Sequence, residues 1–132
     1  MKTFTYSVLV FLLLCIAAPA YSDSKSLAVQ VYVCEFGEET IEEQVLEMAS
    51  VWLNAAKKLP GGKNMEVAVR FPVAEGIQDA GDFLFYFITP TFADWGVFTD
   101  AYEGSAASEV DDQFEDLIEC GDSTIWEGHR IK

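Results

Sequence analysis

The sequence predicts an α+β domain in which helices cover one face of a single four-stranded antiparallel sheet. Segments of alternating or continuous apolar residues, typical of strands, are interspersed with segments whose apolar residues recur at helical spacing. Their order is strand, helix, strand, strand, helix, strand, with an extra short helix before the last helix. Because 51% of the residues are hydrophobic and 14% are aromatic, the chain has enough apolar surface for one packed core.

The N-terminus predicts an export signal rather than part of the fold. Lys2 supplies a positive start, residues 8–18 form an apolar run, and small residues suited to cleavage follow at 18–22. The run is too short to span a bilayer as a stable helix. We therefore expect residues 1–22 to be a signal peptide and residues 23–132 to form a single domain that is secreted or periplasmic.

The first half of that domain predicts a strand, a helix and a second strand. Apolar residues alternate with other residues over 27–34, which is typical of a half-buried strand. Residues 40–43 match a capping box, and the apolar stripe that follows them ends at Pro60. Alternation over 66–73 predicts the second strand, and Pro72 favours an edge position because proline has no amide hydrogen to donate.

The second half predicts a buried strand, two helices and a last strand. Residues 83–88 are apolar on both faces, as in a strand that is covered on both sides. Aromatic residues at helical intervals over 91–102 predict a short helix, and residues 106–119 predict a longer one that Gly121 would cap. Residues 124–132 complete a ferredoxin-like split βαβ sheet, with strand 83–88 near its centre.

A single layer of helices leaves one face of this sheet open. We expect the open face to carry Leu84, Tyr86 and Ile88 together with Ala28, Gln30 and Tyr32. An exposed apolar patch of this kind normally meets a partner. A homodimer that pairs sheet against sheet satisfies the patch with one interface, and docking of a different protein is the alternative.

Cleavage of the signal would leave two cysteines, Cys34 and Cys120. An isolated pair in an oxidising compartment is usually a disulfide, and this one would add roughly 4 kcal/mol in the chain-entropy model. The predicted topology brings the two residues to the same end of the sheet, although alternation points Cys34 away from the helices, so that a bulge or a strand end would have to re-aim it. No C-x-x-C motif indicates redox catalysis, and no neighbouring residues complete a metal site, so we predict no metal.

The formal net charge of −14 restricts the partners. Nucleic-acid affinity depends on lysine and arginine that displace counterions, so DNA and RNA are excluded as primary partners. Anionic membrane surfaces are disfavoured for the same reason, and no membrane association is expected after cleavage. The acidity is explained by solubility or, alternatively, by capture of a cationic ligand or metal.

The order of elements, with an aromatic helical segment before the last helix, resembles the dimeric α+β-barrel superfamily. Within it, strand 29–34 followed by Gly37 and a capped helix looks like NIPSNAP-type and antibiotic-biosynthesis-monooxygenase-type domains. The resemblance implies a homodimer with a pocket between each sheet and its own helices, or near the barrel mouth. It also implies a choice of activities, since some relatives are cofactor-free oxygenases, some degrade haem and many have no known activity.

Aromatic residues are the candidate ligand-binding groups. Tyr32, Tyr86, Trp95 and Tyr102 could line a pocket for a small, flat, apolar ligand, and Arg70 could hold an anionic group on it. Aromatic residues at helical spacing also serve as core, which is the alternative role for this set.

His129 is the only histidine and therefore the one candidate for a general base or a haem ligand. No nucleophile motif accompanies it, so the sequence leaves open whether the protein is an enzyme, and no cofactor is predicted. Our interpretation is an exported, acidic small-ligand-binding or interaction domain. The alternatives are a cofactor-independent monooxygenase or haem-binding enzyme of the dimeric α+β-barrel type, and a structural subunit that docks another protein through its sheet face.

Overall fold

The structure, a computed structural model, describes residues 26–73 and 81–131. Its elements are β1 (Leu27–Phe36), α1 (Glu42–Ala56), β2 (Glu66–Arg70), β3 (Phe83–Thr89), α2 (Phe92–Asp100), α3 (Ala106–Phe114) and β4 (Ile118–Gly128). The predicted signal peptide lies outside the described residues. Within the described ranges, no helix is both long and apolar enough to cross a membrane.

The four strands form one antiparallel sheet in the order β2-β3-β1-β4. This is the ferredoxin-like arrangement, so the predicted fold class is confirmed, including the extra helix α2. Strand β3 lies inside the sheet and β2 lies at its edge, as predicted. Pro72, however, follows the end of β2 at Arg70, so its missing amide does not affect the strand ladder.

The boundary between the last helix and the last strand differs from the prediction. Helix α3 ends at Phe114 and β4 begins at Ile118, so the predicted helix over 106–119 was too long. Gly121 lies within β4 and does not cap the helix. The reason is pairing with β1, which places Ile118 opposite Phe36 and Cys120 opposite Cys34.

Helix α1 buries the stripe that the sequence predicted, including Val45, Met48 and Trp52. Its first turn differs by one residue from the prediction. The Gln44 side chain accepts a hydrogen bond from the Ile41 amide at 2.9 Å, whereas the Thr40 hydroxyl has no hydrogen-bond partner.

Side chains directly opposite each other on paired strands point to the same face of a sheet. The buried residues Phe83, Phe85 and Phe87 face the helices. Their partners on β1, which are Cys34, Tyr32 and Gln30, share that face. The open face instead carries Val29, Val31 and Val33 with Leu84, Tyr86 and Ile88. The prediction that Ala28, Gln30 and Tyr32 lie on the open face was therefore wrong.

The reason for that error is that both faces of β1 bear apolar residues, so that alternation alone does not say which one meets the helices. Because the face of β1 with Gln30 and Tyr32 meets the helices, Cys34 already points toward them and does not have to be re-aimed. This residue is fully buried on the helix face by ordinary alternation, without a bulge to re-aim it. Its disulfide with Cys120 is confirmed, spans a sequence separation of 86 residues and ties β4 to β1. A register irregularity between Tyr32 and Cys34 adjusts the β1–β4 pairing next to it.

Candidate functional site

A cavity of about 260 Å³ lies between the sheet and the helices. We call it the sheet–helix cavity. Eight aromatic side chains line it: Tyr32, Trp52, Phe85, Phe87, Trp95, Phe98, Tyr102 and Phe114. The sheet supplies its floor and all three helices contribute to its walls, so the ferredoxin-like fold itself creates the space.

Trp52 is the aromatic residue with the most neighbours around this cavity. Its ring packs edge-on against Phe85, with the ring centroids 5.6 Å apart, and against Phe98, with the centroids 6.0 Å apart. Its indole Nε1 donates a hydrogen bond to the Tyr102 hydroxyl at 3.1 Å. Trp52 thus holds α1, the sheet and α2 together and fixes Tyr102 at the cavity wall.

Gln30 organises the polar side of the cavity. Its Oε1 accepts a hydrogen bond from Trp95 Nε1 at 2.8 Å, and its Nε2 donates to the Tyr32 hydroxyl at 2.9 Å and to Ser123 Oγ at 3.2 Å. An indole nitrogen can only donate, so Trp95 determines which end of the amide faces it. One side chain on β1 therefore sets the positions of two aromatic rings.

Two partly buried phenols and one carboxylate are the ionisable groups among the described residues of the lining. The Tyr102 hydroxyl donates to Asp111 Oδ2 at 3.1 Å. Burial raises the pKa of Tyr102 above its ordinary value, and the negative charge of Asp111 raises it further. Burial and then Asp111 raise the pKa of Tyr32 in the same way. Both phenols therefore stay protonated at neutral pH and can donate hydrogen bonds, but they are poor bases.

Three of the predicted ligand-binding residues, Tyr32, Trp95 and Tyr102, come together in the sheet–helix cavity. Tyr86 and Arg70 do not join them. Both lie on the open face of the sheet, where the Arg70 guanidinium carbon is 4.7 Å from the centroid of the Tyr86 ring. Tyr86 alternates with the buried Phe85 and Phe87 along β3, so it has to point away from the helices.

His129 also lies away from the cavity. It follows the end of β4, and its Nε2 is 3.4 Å from Glu127 Oε1, with both side chains more than half exposed. The candidate catalytic histidine is thus on the surface rather than among the lining residues. In the part of the chain that the structure describes, no group of three or more His, Cys, Asp or Glu side chains is placed to hold a metal ion.

Sequence reasoning missed three residues of the site: Gln30, Trp52 and Asp111. Trp52 belongs to the apolar stripe of α1, a pattern typical of core residues, and Asp111 lies among acidic residues of a helix, a pattern typical of a solvated face. Gln30 had a usable signal, because it is a large polar side chain in the middle of a strand that is otherwise mostly apolar. Such a residue needs a hydrogen-bond partner when it faces the core.

No protein-family model matches the chain, and no curated protein matches it in sequence. Among solved structures, it is similar to a crystal structure of a candidate chlorite dismutase, with 15% identity and a TM-score of 0.45, covering 80% of this chain and 45% of that one. It is also similar to a mutant of the chlorite dismutase from Candidatus Nitrospira defluvii, with 14% identity and a TM-score of 0.39, covering 80% of this chain and 41% of that one. The chain spans less than half the length of either neighbour. Similarity at this level carries no argument about function, and the likeness to NIPSNAP-type and monooxygenase-type domains stays a prediction.

Proposed function

We propose that this domain binds a small, largely apolar ligand in the sheet–helix cavity. The observation that carries the proposal is the cavity itself, in which eight aromatic side chains surround about 260 Å³. Ligand sites are typically concave and apolar with a few convergent polar groups, and here Gln30, Tyr32 and Tyr102 are those groups. The volume is just below the range of roughly 300–1,000 Å³ that drug-sized ligands occupy, so a ligand of one or two rings fits.

The haem-binding alternative receives less support from these residues. Proteins hold haem iron through His, Cys thiolate, Tyr or a Met paired with His. Among the described residues, no histidine lines the cavity, and Cys120 is held in the disulfide. The raised pKa values of Tyr32 and Tyr102 oppose the phenolate form that iron would need. The lining therefore does not fit a haem, and we derive no reaction through one.

The monooxygenase alternative would need a base beside the substrate. Asp111 is the one ionisable group of the lining that is not a protonated phenol, and it lies at an exposed position of α3. The geometry thus favours binding over catalysis.

A neutral aromatic compound tests whether the cavity binds an apolar ligand, independently of the charge of that ligand. We expect 2-ethylnaphthalene to bind the mature domain, as measured by isothermal titration calorimetry. Thr99 lines the cavity, so Thr99→Phe should fill part of it and weaken binding by about tenfold or more, since an overpacked site cannot accept the ring.

Val97→Phe is the matched control, because Val97 lies on the same helix but is 49% exposed. It should leave binding unchanged. If the probe fails to bind the wild-type domain, or binds Thr99→Phe as tightly as wild type, the proposed function is wrong.

We propose further that two copies of the domain pair through the open face of the sheet. Support comes from the apolar residues Val29, Val31, Val33, Leu84, Tyr86 and Ile88 on that face, none of which belongs to the core cluster of the described residues. Pairing and alternation also place the charged residues Glu35, Glu66, Arg70 and Glu119 on this face, outside its apolar centre, where Val31 lies opposite Tyr86.

We propose also that the protein is exported, to the periplasm or out of the cell. The disulfide supports this, because such bonds form and persist in oxidising compartments, and Cys34 and Cys120 are bonded in the fold.

A further inference from the structure

The sheet–helix cavity opens beside a strongly acidic groove. Three acidic residues of α3 and the turn that follows it line this groove, Asp111, Asp112 and Glu115, and we call it the acidic mouth. Asp111, Phe114, Ile118 and Cys120 line both spaces. Because the two spaces share these residues, a ligand that fills the cavity has its outer end beside the carboxylates.

In the part of the chain that the structure describes, no basic side chain forms an ion pair with this groove. The sequence contains no lysine or arginine from residue 71 to residue 129. Among the described residues, the ion pairs are Arg130 with Glu66 and His129 with Glu127, and neither involves the acidic mouth. The three carboxylates therefore present a negative field that no ion pair among the described residues neutralises, and a cleft lined by one sign of charge raises the local concentration of ligands of the opposite sign.

The aromatic walls favour the same charge. The faces of Trp and Tyr rings attract cations, and aromatic cages are a recurrent way to recognise ammonium groups. Tyr102 donates to Asp111 at 3.1 Å, which holds this carboxylate at the boundary between the rings and the mouth. The aromatic rings and the acidic mouth would thus both lie beside the same end of a bound ligand.

From this juxtaposition we infer that the ligand is an organic cation, a one- or two-ring amine whose apolar body fills the sheet–helix cavity and whose ammonium group lies against Asp111. The inference rests on the proposed ligand-binding function and names its ligand class. It also replaces the expectation that Arg70 holds an anionic group of the ligand, since Arg70 lies on the opposite face of the sheet.

Three naphthalene derivatives of closely similar shape and different charge separate the possibilities. They are 2-naphthylmethylammonium, its neutral isostere 2-ethylnaphthalene, and the anion 2-naphthylacetate, each titrated into the mature domain by calorimetry. We expect the cation to bind about tenfold tighter than the neutral compound or better, and the anion to bind most weakly. Raising the salt from about 0.1 M to about 1 M should reduce the preference, because it screens the exposed carboxylates.

Asp111→Asn tests the residue that carries the inference. Asparagine can still accept the Tyr102 hydrogen bond, so we expect the preference for the cation, measured as the ratio of the Kd values of the neutral compound and the cation, to fall severalfold. Glu109→Gln is the matched control, since it removes one negative charge from the same helix outside the residues that line the acidic mouth. It should leave most of the preference in place.

The possible results distinguish the two proposals. If none of the three compounds binds, the ligand-binding function fails and this inference falls with it. If the neutral compound or the anion binds as tightly as the cation, the cavity function stands and the inference is overturned. Equal loss of preference in Asp111→Asn and Glu109→Gln would also overturn it, because net charge rather than the mouth would then account for the selectivity.

Discussion

Gln30 shows at the scale of one residue how the site is held together. It lies in the central strand β1, and three hydrogen bonds link it to Trp95, Tyr32 and Ser123. Two of these partners line the sheet–helix cavity. The amide thus fixes two rings that come from different elements, which is how a binding site is preorganised.

We predict that Gln30→Leu destabilises the domain by about 1–3 kcal/mol, because it leaves the Trp95 indole without its acceptor in a partly buried place. Chemical denaturation with the free energy of unfolding as the readout measures the loss. Gln113→Leu is the control, since Gln113 is an exposed residue of α3, and it should change the stability little. Equal effects of the two substitutions would show that the hydrogen bonds of Gln30 contribute nothing specific.

At the scale of the elements, the disulfide fastens the edge strand β4 to β1 beside the cavity. Cys120 lines both the cavity and the acidic mouth, so loss of the bond should loosen the wall that β4 provides. We predict that the double substitution Cys34→Ala and Cys120→Ala lowers the free energy of unfolding by roughly 2–5 kcal/mol.

Denaturation of the double variant and of the wild type, each with and without reductant, measures this effect. Reductant should destabilise the wild type by a comparable amount and leave the double variant unaffected. Unchanged stability of the wild type on full reduction would contradict this role of the disulfide.

Local patterns were sufficient to predict most elements. The stripe of α1 and the continuous apolar run of β3 depend on neighbouring residues, so their positions were correctly predicted. The end of α3 was not, because Ile118 and Cys120 enter β4 through pairing with Phe36 and Cys34, which are distant in sequence. Pairing between strands that are distant in sequence cannot be detected from the local spacing of apolar residues.

The candidate site was predictable in part for the same reason. Tyr32, Trp95 and Tyr102 were selected as aromatic residues, and the fold brings them together. Tyr86 was correctly placed on the open face but does not join the other ligand-binding candidates, because Tyr32 lies on the helix face of β1 and the sequence does not say which face of β1 meets the helices. Asp111 could be recognised as a site residue only from the structure, in which the Tyr102 hydroxyl donates a hydrogen bond to it.

At the scale of the whole molecule, the acidic mouth and the apolar residues of the open face lie on opposite sides of the sheet. The acidic mouth lies on the helix side, whereas the open face of the sheet has an apolar centre in which Val31 lies opposite Tyr86. In the proposed homodimer the sheets would meet, and the two cavities would keep separate openings.

We predict that the wild-type domain is a dimer and that Tyr86→Asp makes it a monomer, as measured by sedimentation velocity. The reason is that the substitution replaces a large apolar ring with a carboxylate, which would have to be desolvated in the interface. Leu46→Asp serves as the control, since Leu46 is 50% exposed on α1, on the other side of the sheet. A wild-type monomer would contradict the homodimer and favour docking of a different protein, and a dimeric Tyr86→Asp variant would remove Tyr86 from the interface.

The most direct test of ligand binding in the sheet–helix cavity is to follow the three indole N–H resonances of the mature domain by NMR during titration with 2-naphthylmethylammonium. Trp52 and Trp95 line the cavity, whereas Trp126 lies opposite Val29 on the open face and is 61% exposed, so it is an internal control. We predict that the Trp52 and Trp95 resonances shift with saturation while that of Trp126 stays in place. No saturable shift, or a shift confined to Trp126, would contradict the account.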